Sequence, residues 1–437
     1  MERPPQQNPI IIIGAGLSGL LLAQYLRKFD IPYLIFERDG DLTTRGVGWG
    51  LTLHWSLPAL RSLLPQDLVD RLPEAYVDRG AVERGEMTAF PFFDLSTGEL
   101  KAAAPKLPEL QRIRVARKRL RQILATGIDV QWGKAFRDFE QSGPNSVTVS
   151  FDDGSTCTGS LLIGCDGANS RIRRELFPDL ESHRIPIGVL GVKLDHTPEE
   201  MKPLQELDPI FFQGTASRNN TYVFFSMLDA PGNSVNDKRE NYSSQIVVSW
   251  PFRPGFFDSD ALIEVPSDNS ARLKLIKTFA QTWAEPFRSI ALNIPDSTEA
   301  KHVDVYDWAP PKGLRGSGLV ALLGDAFHTM AMYRGEGANH ALVDVLHFIE
   351  QITPELLKKI TCADKATTDG ESETSTDLRL AIDKYEDVVT KRAHPAVLAS
   401  RRACMDAHQW TRFGVGSPLL SRRVMDMEFE DESLSWD

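Results

Sequence analysis

With 437 residues, 42% of them hydrophobic and 25% charged, the chain is long enough for two domains and has a globular rather than a disordered or fibrous composition. Its 60 acidic against 49 basic side chains leave a formal net charge of -11, which excludes nucleic acid as a partner, because phosphate binding needs a positive field. The cysteines Cys157, Cys165, Cys362 and Cys404 form no CxxC pair, so zinc or dithiol chemistry is excluded and reduced thiols in a cytoplasmic protein are expected.

Met1 to Pro9 is polar and proline-containing, without the basic start and unbroken apolar core of a secretory signal. Ile10–Ile13 is wholly apolar, as a strand covered on both faces requires. The apolar stretch runs on to Leu26 but is broken by Gly14, Gly16, Gly19 and Gln24. It therefore reads as strand, turn and helix, and no stable membrane insertion is expected. A helical pattern over 17–28 and a second strand over Tyr33–Glu37 complete a βαβ unit. Gly14-Ala15-Gly16-Leu17-Ser18-Gly19 is a GxGxxG segment, a weak signal alone but a strong one after a strand and at a helix start. There a dinucleotide pyrophosphate can approach free N–H groups and the helix dipole closely. Glu37 ends the next strand, where its carboxylate would accept both ribose hydroxyls of an adenosine and repel a 2′-phosphate.

Next come Arg112, Arg114, Arg117, Arg119 and Arg121. With Leu120, Ile123 and Leu124 as an apolar face, most of these arginines read as a solvated helix surface, Arg117 alone being a ligand candidate. Leu161–Ile163 and Leu319–Leu323 are two more buried-type strands, each followed within three residues by Gly and Asp. Between about 184 and 295, Ile187–Leu194, Thr221–Met227 and Gln245–Trp250 alternate with the turn pairs Asn219-Asn220, Pro231-Gly232 and Pro254-Gly255. That is the pattern of an antiparallel sheet inserted into an α/β domain. Phe211, Phe212, Tyr222, Phe224 and Phe225 suit a flat apolar ligand, although such residues are more often core. A second glycine-rich turn, Arg334-Gly335-Glu336-Gly337-Ala338-Asn339, opens a helix to about Ile352 with Ala341, Leu342, Val345, Leu346 and Ile349 on one face. Asp325 at a strand end can bind a ribityl hydroxyl, and a glycine-lined helix start can meet the oxygens of a flavin ring. For each piece alone, a turn with a helix cap is the alternative. Residues 361–378 are polar and read as a disordered loop, followed by a charged helical region to about Trp410.

Three of these segments together resemble the motifs of the single-component (class A) FAD-dependent monooxygenases of the para-hydroxybenzoate hydroxylase type. They are Gly14–Gly19 with Glu37, Cys165-Asp166-Gly167-Ala168-Asn169-Ser170-Arg171-Ile172-Arg173, and Gly324-Asp325 through Asn339. Arg114–Arg121 resembles a family helix whose arginine contacts FAD, a role that falls on Arg117, and the wording of Arg45–Leu57 and Tyr333–Asn339 is closest to fungal secondary-metabolism members. The chain departs from the usual pattern at Met332 (commonly proline), Phe327 (commonly small) and Glu336 (often Gln).

The resemblance implies an α/β fold: a Rossmann-like FAD-binding domain over 1–183, with a substrate-domain excursion near 50–105, and over 297–360. An antiparallel-sheet substrate domain over 184–296 is inserted in it, and C-terminal helices follow over 379–437. It implies that Gly14, Gly16, Gly19, Glu37, Gly50, Arg117, Asp325, Gly335, Gly337 and Ala338 contact FAD. Asp166 and Gly167 would serve FAD and a transient NADPH or NADH, a turn aspartate bonding its own backbone being an equal alternative for Asp166. His54, in a loop the family places near the flavin, is the candidate catalytic group. No metal-ligand cluster is visible among the 9 histidines. The implied activity consumes NAD(P)H and O2 to hydroxylate or epoxidise an apolar aromatic or polyene secondary metabolite through a flavin C4a-hydroperoxide. A flavoprotein reductase or dehydrogenase, and a non-redox cyclase-type derivative, are the alternatives. All of this requires one cleft joining Glu37 to Asp325.

Overall fold

Runs that are apolar at every position and runs that alternate sort the strands into two separate sheets. The computed structural model describes residues 8–44, 48–143, 145–233, 239–362, 370–414, 416–431 and 436, without the side chains of 356–375. The Arg45–Val47 start of one quoted segment lies outside them. The chain opens with β1 (Ile10–Ile13), α1 (Leu17–Lys28), β2 (Tyr33–Glu37) and β3 (Gly50–Leu53), then β4 (Phe92–Asp94), β5 (Leu100–Ala102) and β6 (Ile113–Ala116), which runs directly into α2 (Arg117–Leu124). After β7 (Val130–Trp132), a three-stranded antiparallel meander leads to β8 (Leu161–Gly164). The second half supplies β9 (Ile187–His196), β10 (Phe211–Thr215), β11 (Tyr222–Asp229), β12 (Tyr242–Pro251), β13 (Ala300–His302) and β14 (Val320–Leu322). Two long helices close it, α3 (Gly337–Cys362) and α4 (Gly370–Ala407).

β14-β8-β1-β2-β7 form a five-stranded parallel sheet. All four isoleucines of β1 are buried, since helices and loops cover both faces of a central parallel strand. The second sheet has the order β13-β9-β12-β11-β10-β4-β5 and is antiparallel except where β10 pairs with β4. β4 and β5 come from the 50–105 excursion, and β13 extends this sheet past the expected boundary at 296. Period-two alternation gives it two faces. Val223, Phe225 and Met227 of β11 join Phe212, Ile246 and Val248 in a core beneath helix Asn269–Ala280, while Tyr222, Phe224, Phe211, Gln213, Gln245 and Val247 point the other way. Of the five aromatics that suit a flat ligand but are more often core, Phe212 and Phe225 belong to the core.

Two expectations for the C-terminal third are corrected. The 361–378 stretch is helical on both sides, to Cys362 and again from Gly370, and only its 363–369 portion lies outside the described residues. Polarity suggested a loop there, but buried positions such as Leu378, Ile382, Tyr385 and Val389 anchor the helix on the main core. The C-terminal segment is helical only to Ala407, apart from a short turn at Trp410–Arg412. Beyond that turn the described chain crosses the molecule without regular structure, held where Arg334 donates to the Pro418 carbonyl and to Ser421 Oγ. No described helix is long and apolar enough to cross a membrane.

His408, at the end of α4, has no solvent exposure. Its Nδ1–H donates to the Cys404 carbonyl at 2.7 Å, and Nε2 accepts from Ser249 Oγ at 2.8 Å. Burial lowers its pKa to about 4, whereas an unfolded histidine titrates near 6.5. The folded imidazole therefore stays neutral while the unfolded one gains a proton, so stability is lost as pH falls below 6.5. By pH 5 this group alone should cost roughly 2 kcal/mol, and His340, held well below its ordinary value, acts in the same direction. Denaturant midpoints at pH 7.5 and 5 should show the drop, and a His408→Gln variant should show less of it.

Candidate active site

The crossing of β1, α1 and β8 explains two glycines of the first motif without any ligand. Gly14 has φ +107, and a Cβ there would lie 2.3 Å from the Cys165 carbonyl oxygen; at Gly19 it would lie 2.0 Å from the Gly14 oxygen. Gly16 is different, with φ -79 and no protein atom within 4 Å of a built Cβ. Its missing side chain faces a cavity of about 1800 Å³, larger than the roughly 300–1,000 Å³ of a usual small-ligand pocket. Gly167 and Gly335, with φ +84 and +66, also open onto it with nothing within 4 Å.

Glu37 and Asp325 both line this cavity, so the required cleft exists. Glu37 ends β2 almost fully buried. Its Oε2 accepts from the Ala15 N–H at 2.9 Å and its Oε1 from the Asp39 N–H at 3.1 Å. Arg121 stands 3.4 Å from Oε2 and donates to the Ala15 carbonyl at 2.7 Å, neutralising the buried carboxylate. Arginine spacing had suggested a solvated helix surface, and that is corrected by partners remote in sequence. Arg121 pairs with Glu37, Arg119 pairs with Asp229 at 2.5 Å, and Arg112 and Arg114 precede the helix, flanking and lying on β6. Arg117 begins α2, its N–H donates to the Trp49 carbonyl at 3.2 Å, and its side chain lines the cavity close enough to Asp325 to favour the ionised carboxylate.

Asp325 sits in a short turn after β14, where burial raises its pKa against the pull of His328 and Arg117. Its side chain is open to the cavity although protein surrounds it. Gly337 starts α3 with only Asp325 Oδ1 near, at 3.8 Å from a built Cβ, and Ala338 follows on the same wall. Asp166 makes the backbone bond of the turn alternative and still lines the cavity. Its Oδ2 accepts from the Arg171 N–H at 2.8 Å, while the buried Oδ1 has no partner. Gly50 lines the cavity, and a Cβ there would come within 2.7 Å of the Arg114 guanidinium. Asn339 ties the next loop to α3, with Oδ1 accepting from the His54 N–H at 2.9 Å and Ser56 Oγ at 2.8 Å. His54 also lines the cavity, and burial with Arg423, Arg112 and Arg334 nearby lowers its pKa to about 3. Its imidazole is therefore neutral at physiological pH.

Of the three departures, Phe327 is buried beside Trp308 and Tyr385 and lies off the cavity wall. Met332 lines the cavity and is 40% exposed. Glu336 is an ion-pair partner, 2.6 Å from Arg334 Nε, and accepts from Trp55 Nε1 at 3.3 Å. The sequence reasoning missed Arg423. It emerges from the irregular tail, lines the cavity, and donates to the carbonyls of Arg334 (3.2 Å), Ser421 (2.7 Å) and Leu419 (3.0 Å). No local pattern marks it.

Residues 7–239 match the FAD binding domain family. A probable FAD-dependent monooxygenase of Arthroderma benhamiae is 41% identical over 438 aligned residues, covering 98% of this chain and 97% of the relative. The chain belongs to the FAD-dependent monooxygenases. It is also 38% identical to the FAD-dependent monooxygenase dbaB of Emericella nidulans, across 79% of this chain and 86% of that one. The monooxygenase shares its fold with 2,6-dihydroxypyridine-3-hydroxylase from Arthrobacter nicotinovorans, with a TM-score of 0.71, 17% identity and coverage of 98% and 100%.

The cavity of the monooxygenase fits FAD on its own chemistry. Three glycines leave open space that no protein atom fills, and one buried carboxylate oxygen lacks a donor. Asp325→Ala is expected to weaken FAD binding at least tenfold, about 1.4 kcal/mol, by removing an acceptor from the cavity wall. Flavin fluorescence recovered on serial dilution measures this, and wild-type retention would contradict it.

Proposed function

We propose that this monooxygenase consumes NAD(P)H and inserts one oxygen atom of O2 into an aromatic or polyene secondary metabolite, by hydroxylation or epoxidation. The observation that carries the reading is one cavity with two chemistries: glycine-lined turns and carboxylates at one end, and the Phe211–Phe224–Tyr222 sheet face at the other. The named activity of the Arthrobacter hydroxylase, on a small aromatic ring, supports the same class of substrate.

FAD, when bound, supplies the redox step, taking hydride from NAD(P)H and activating O2, which side chains alone cannot do. In this reading Gly14, Gly16 and Gly19 open α1 for the pyrophosphate. Glu37 accepts the adenosine ribose hydroxyls and Asp325 the ribityl chain, with Arg117 and Gly50 along the same path. Gly335, Gly337 and Ala338 present backbone N–H groups to the flavin ring, and Asp166 and Gly167 serve FAD and the transient nicotinamide. His54, neutral at pH 7, orients a substrate hydroxyl by hydrogen bonding, and the aromatic face excludes water from the reacting carbon. The three cysteines whose side chains are described are free thiols, which suits a cytoplasmic enzyme.

Turnover under 18O2 with NADPH or NADH tests the reading by mass spectrometry of the product. One labelled oxygen per product, with matching nicotinamide oxidation, is expected. Nicotinamide oxidation without label would make the protein a reductase or dehydrogenase. Product formed without either would make it a cyclase-type derivative.

A further inference from the structure

The loop Arg334–Gly337 alternates charged residues with glycines, and the glycines do little to hold it in place. Gly335 has φ +66 with no protein atom within 4 Å of a built Cβ, and Gly337 meets only Asp325 Oδ1 at 3.8 Å. The position of the loop therefore rests on the buried side chains of Arg334 and Glu336. Glu336 fixes one side. Its Oε1 accepts from Trp55 Nε1 at 3.3 Å, and its carbonyl accepts the N–H groups of Asn339 and His340 at 2.9 and 3.1 Å, at the start of α3. Arg334 pairs with Glu336 at 2.6 Å and fixes the other side.

Among the described residues, every further acceptor of that guanidinium belongs to the C-terminal tail. Nη1 donates to the Pro418 carbonyl and, at 2.6 Å, to Ser421 Oγ, and Nη2 donates to the Arg422 carbonyl at 3.4 Å. The tail returns one bond, from Arg423 Nε to the Arg334 carbonyl at 3.2 Å. It is pinned close by through Ser417, whose Oγ donates to Asp406 Oδ2 at 2.5 Å, and through the fully buried Leu419. If the tail lifted, the enclosed guanidinium would keep Glu336 alone, and a buried donor without an acceptor bears its whole desolvation cost. Tail and loop therefore share one docked arrangement.

We infer that Arg334 is a positioning residue that couples the C-terminal tail to the flavin loop, so that docking of residues 417–423 and binding of FAD strengthen each other. The inference rests on the proposed placement of the flavin ring against Gly335, Gly337 and Ala338, and it adds a part for the tail in cofactor retention. Such coupling is reciprocal: the factor by which a docked tail raises FAD affinity is the factor by which bound FAD favours docking.

Hydrogen exchange of apo and FAD-loaded protein, read by mass spectrometry, tests it. The N–H groups of Leu420 and Ser421, each bonded to the Ser417 carbonyl at 3.2 Å, exchange when the tail opens. Bound FAD should slow them as well as the amides of 335–340. Arg334→Lys keeps the charge beside Glu336 but lacks the fork that spans the tail. It should weaken FAD binding by roughly tenfold or more. It should also leave tail exchange indifferent to bound FAD, which a loss of stability alone would not do. Ser417→Ala loosens the tail away from the cavity wall and should weaken FAD binding by roughly threefold. Should Arg334→Lys not fold, wild-type exchange and Ser417→Ala decide. Protected loop amides beside an unchanged tail, a tail that still responds to FAD in Arg334→Lys, or wild-type FAD affinity in either variant would overturn the inference and leave the flavin placement standing. FAD that loads, by its spectrum, without protecting 335–340 would overturn that placement and the inference with it.

Discussion

Gly16→Val is expected to give a protein that folds but no longer retains FAD. The backbone at Gly16 is extended, and nothing of the protein lies within 4 Å of a Cβ there. A valine is therefore sterically acceptable, and the change at a helix start should cost roughly 1 kcal/mol or less. Its side chain would occupy the space through which a pyrophosphate reaches the N–H groups of α1. FAD affinity should fall at least ~100-fold, about 2.7 kcal/mol. Gly14→Ala should do the reverse first: with φ +107 and a Cβ 2.3 Å from the Cys165 oxygen, it should destabilise the apo protein by ~3 kcal/mol or more. Urea unfolding without FAD and flavin fluorescence titration separate the two effects. Wild-type FAD affinity in Gly16→Val would show that the open space beside Gly16 holds something else.

The second large effect is expected at Asp344, on the inner side of α3 with no solvent exposure. Its Oδ2 accepts from the Gly324 N–H at 2.8 Å and His328 Nε2 at 2.6 Å, and its Oδ1 accepts from Arg392. Burial would raise its pKa, yet the neighbouring His328 and Arg392 win and hold it at about 2. Asp344→Ala strands a buried guanidinium, an imidazole and an N–H at once, and should cost ~3–5 kcal/mol, read as a fall in the denaturant midpoint. Asp344→Asn keeps shape and some hydrogen bonds and should cost less. Because the folded carboxyl is depressed below its ordinary 3.8, its contribution is complete above that pH and fades as pH falls towards 2. Gly324 immediately precedes Asp325, so the alanine variant should also loosen FAD. A variant as stable as wild type would mean that the network is already poorly satisfied.

What could be read in the chain was whatever is local. Four consecutive isoleucines, a GxGxxG turn and an acid at the next strand end are consecutive in sequence, and they gave β1, α1, β2 and one end of the cavity. Period two located β11 and β12, but it does not say which face looks at a ligand. Only the packing of helix Asn269–Ala280 decides that Phe225 is core and Phe224 is not. The basic run before and in α2 was misread because its partners, Glu37 for Arg121 and Asp229 for Arg119, stand 84 and 110 positions away. Likewise, the polar residues of 370–377 concealed a helix held by apolar positions further along. Arg423 had no sequence signal at all, since its neighbours are placed by a tail without regular structure.

That tail has a practical consequence. In the proposed reading the glycines of the nucleotide cradle all precede residue 340, whereas Arg423 reaches the cavity from one late strip. Grafting the corresponding strip from a relative would redecorate the reactant's side of the chamber while leaving every glycine of the nucleotide cradle in place. Selectivity in this enzyme should therefore be open to chimeric exchange, with flavin loading as a built-in check that each hybrid has assembled.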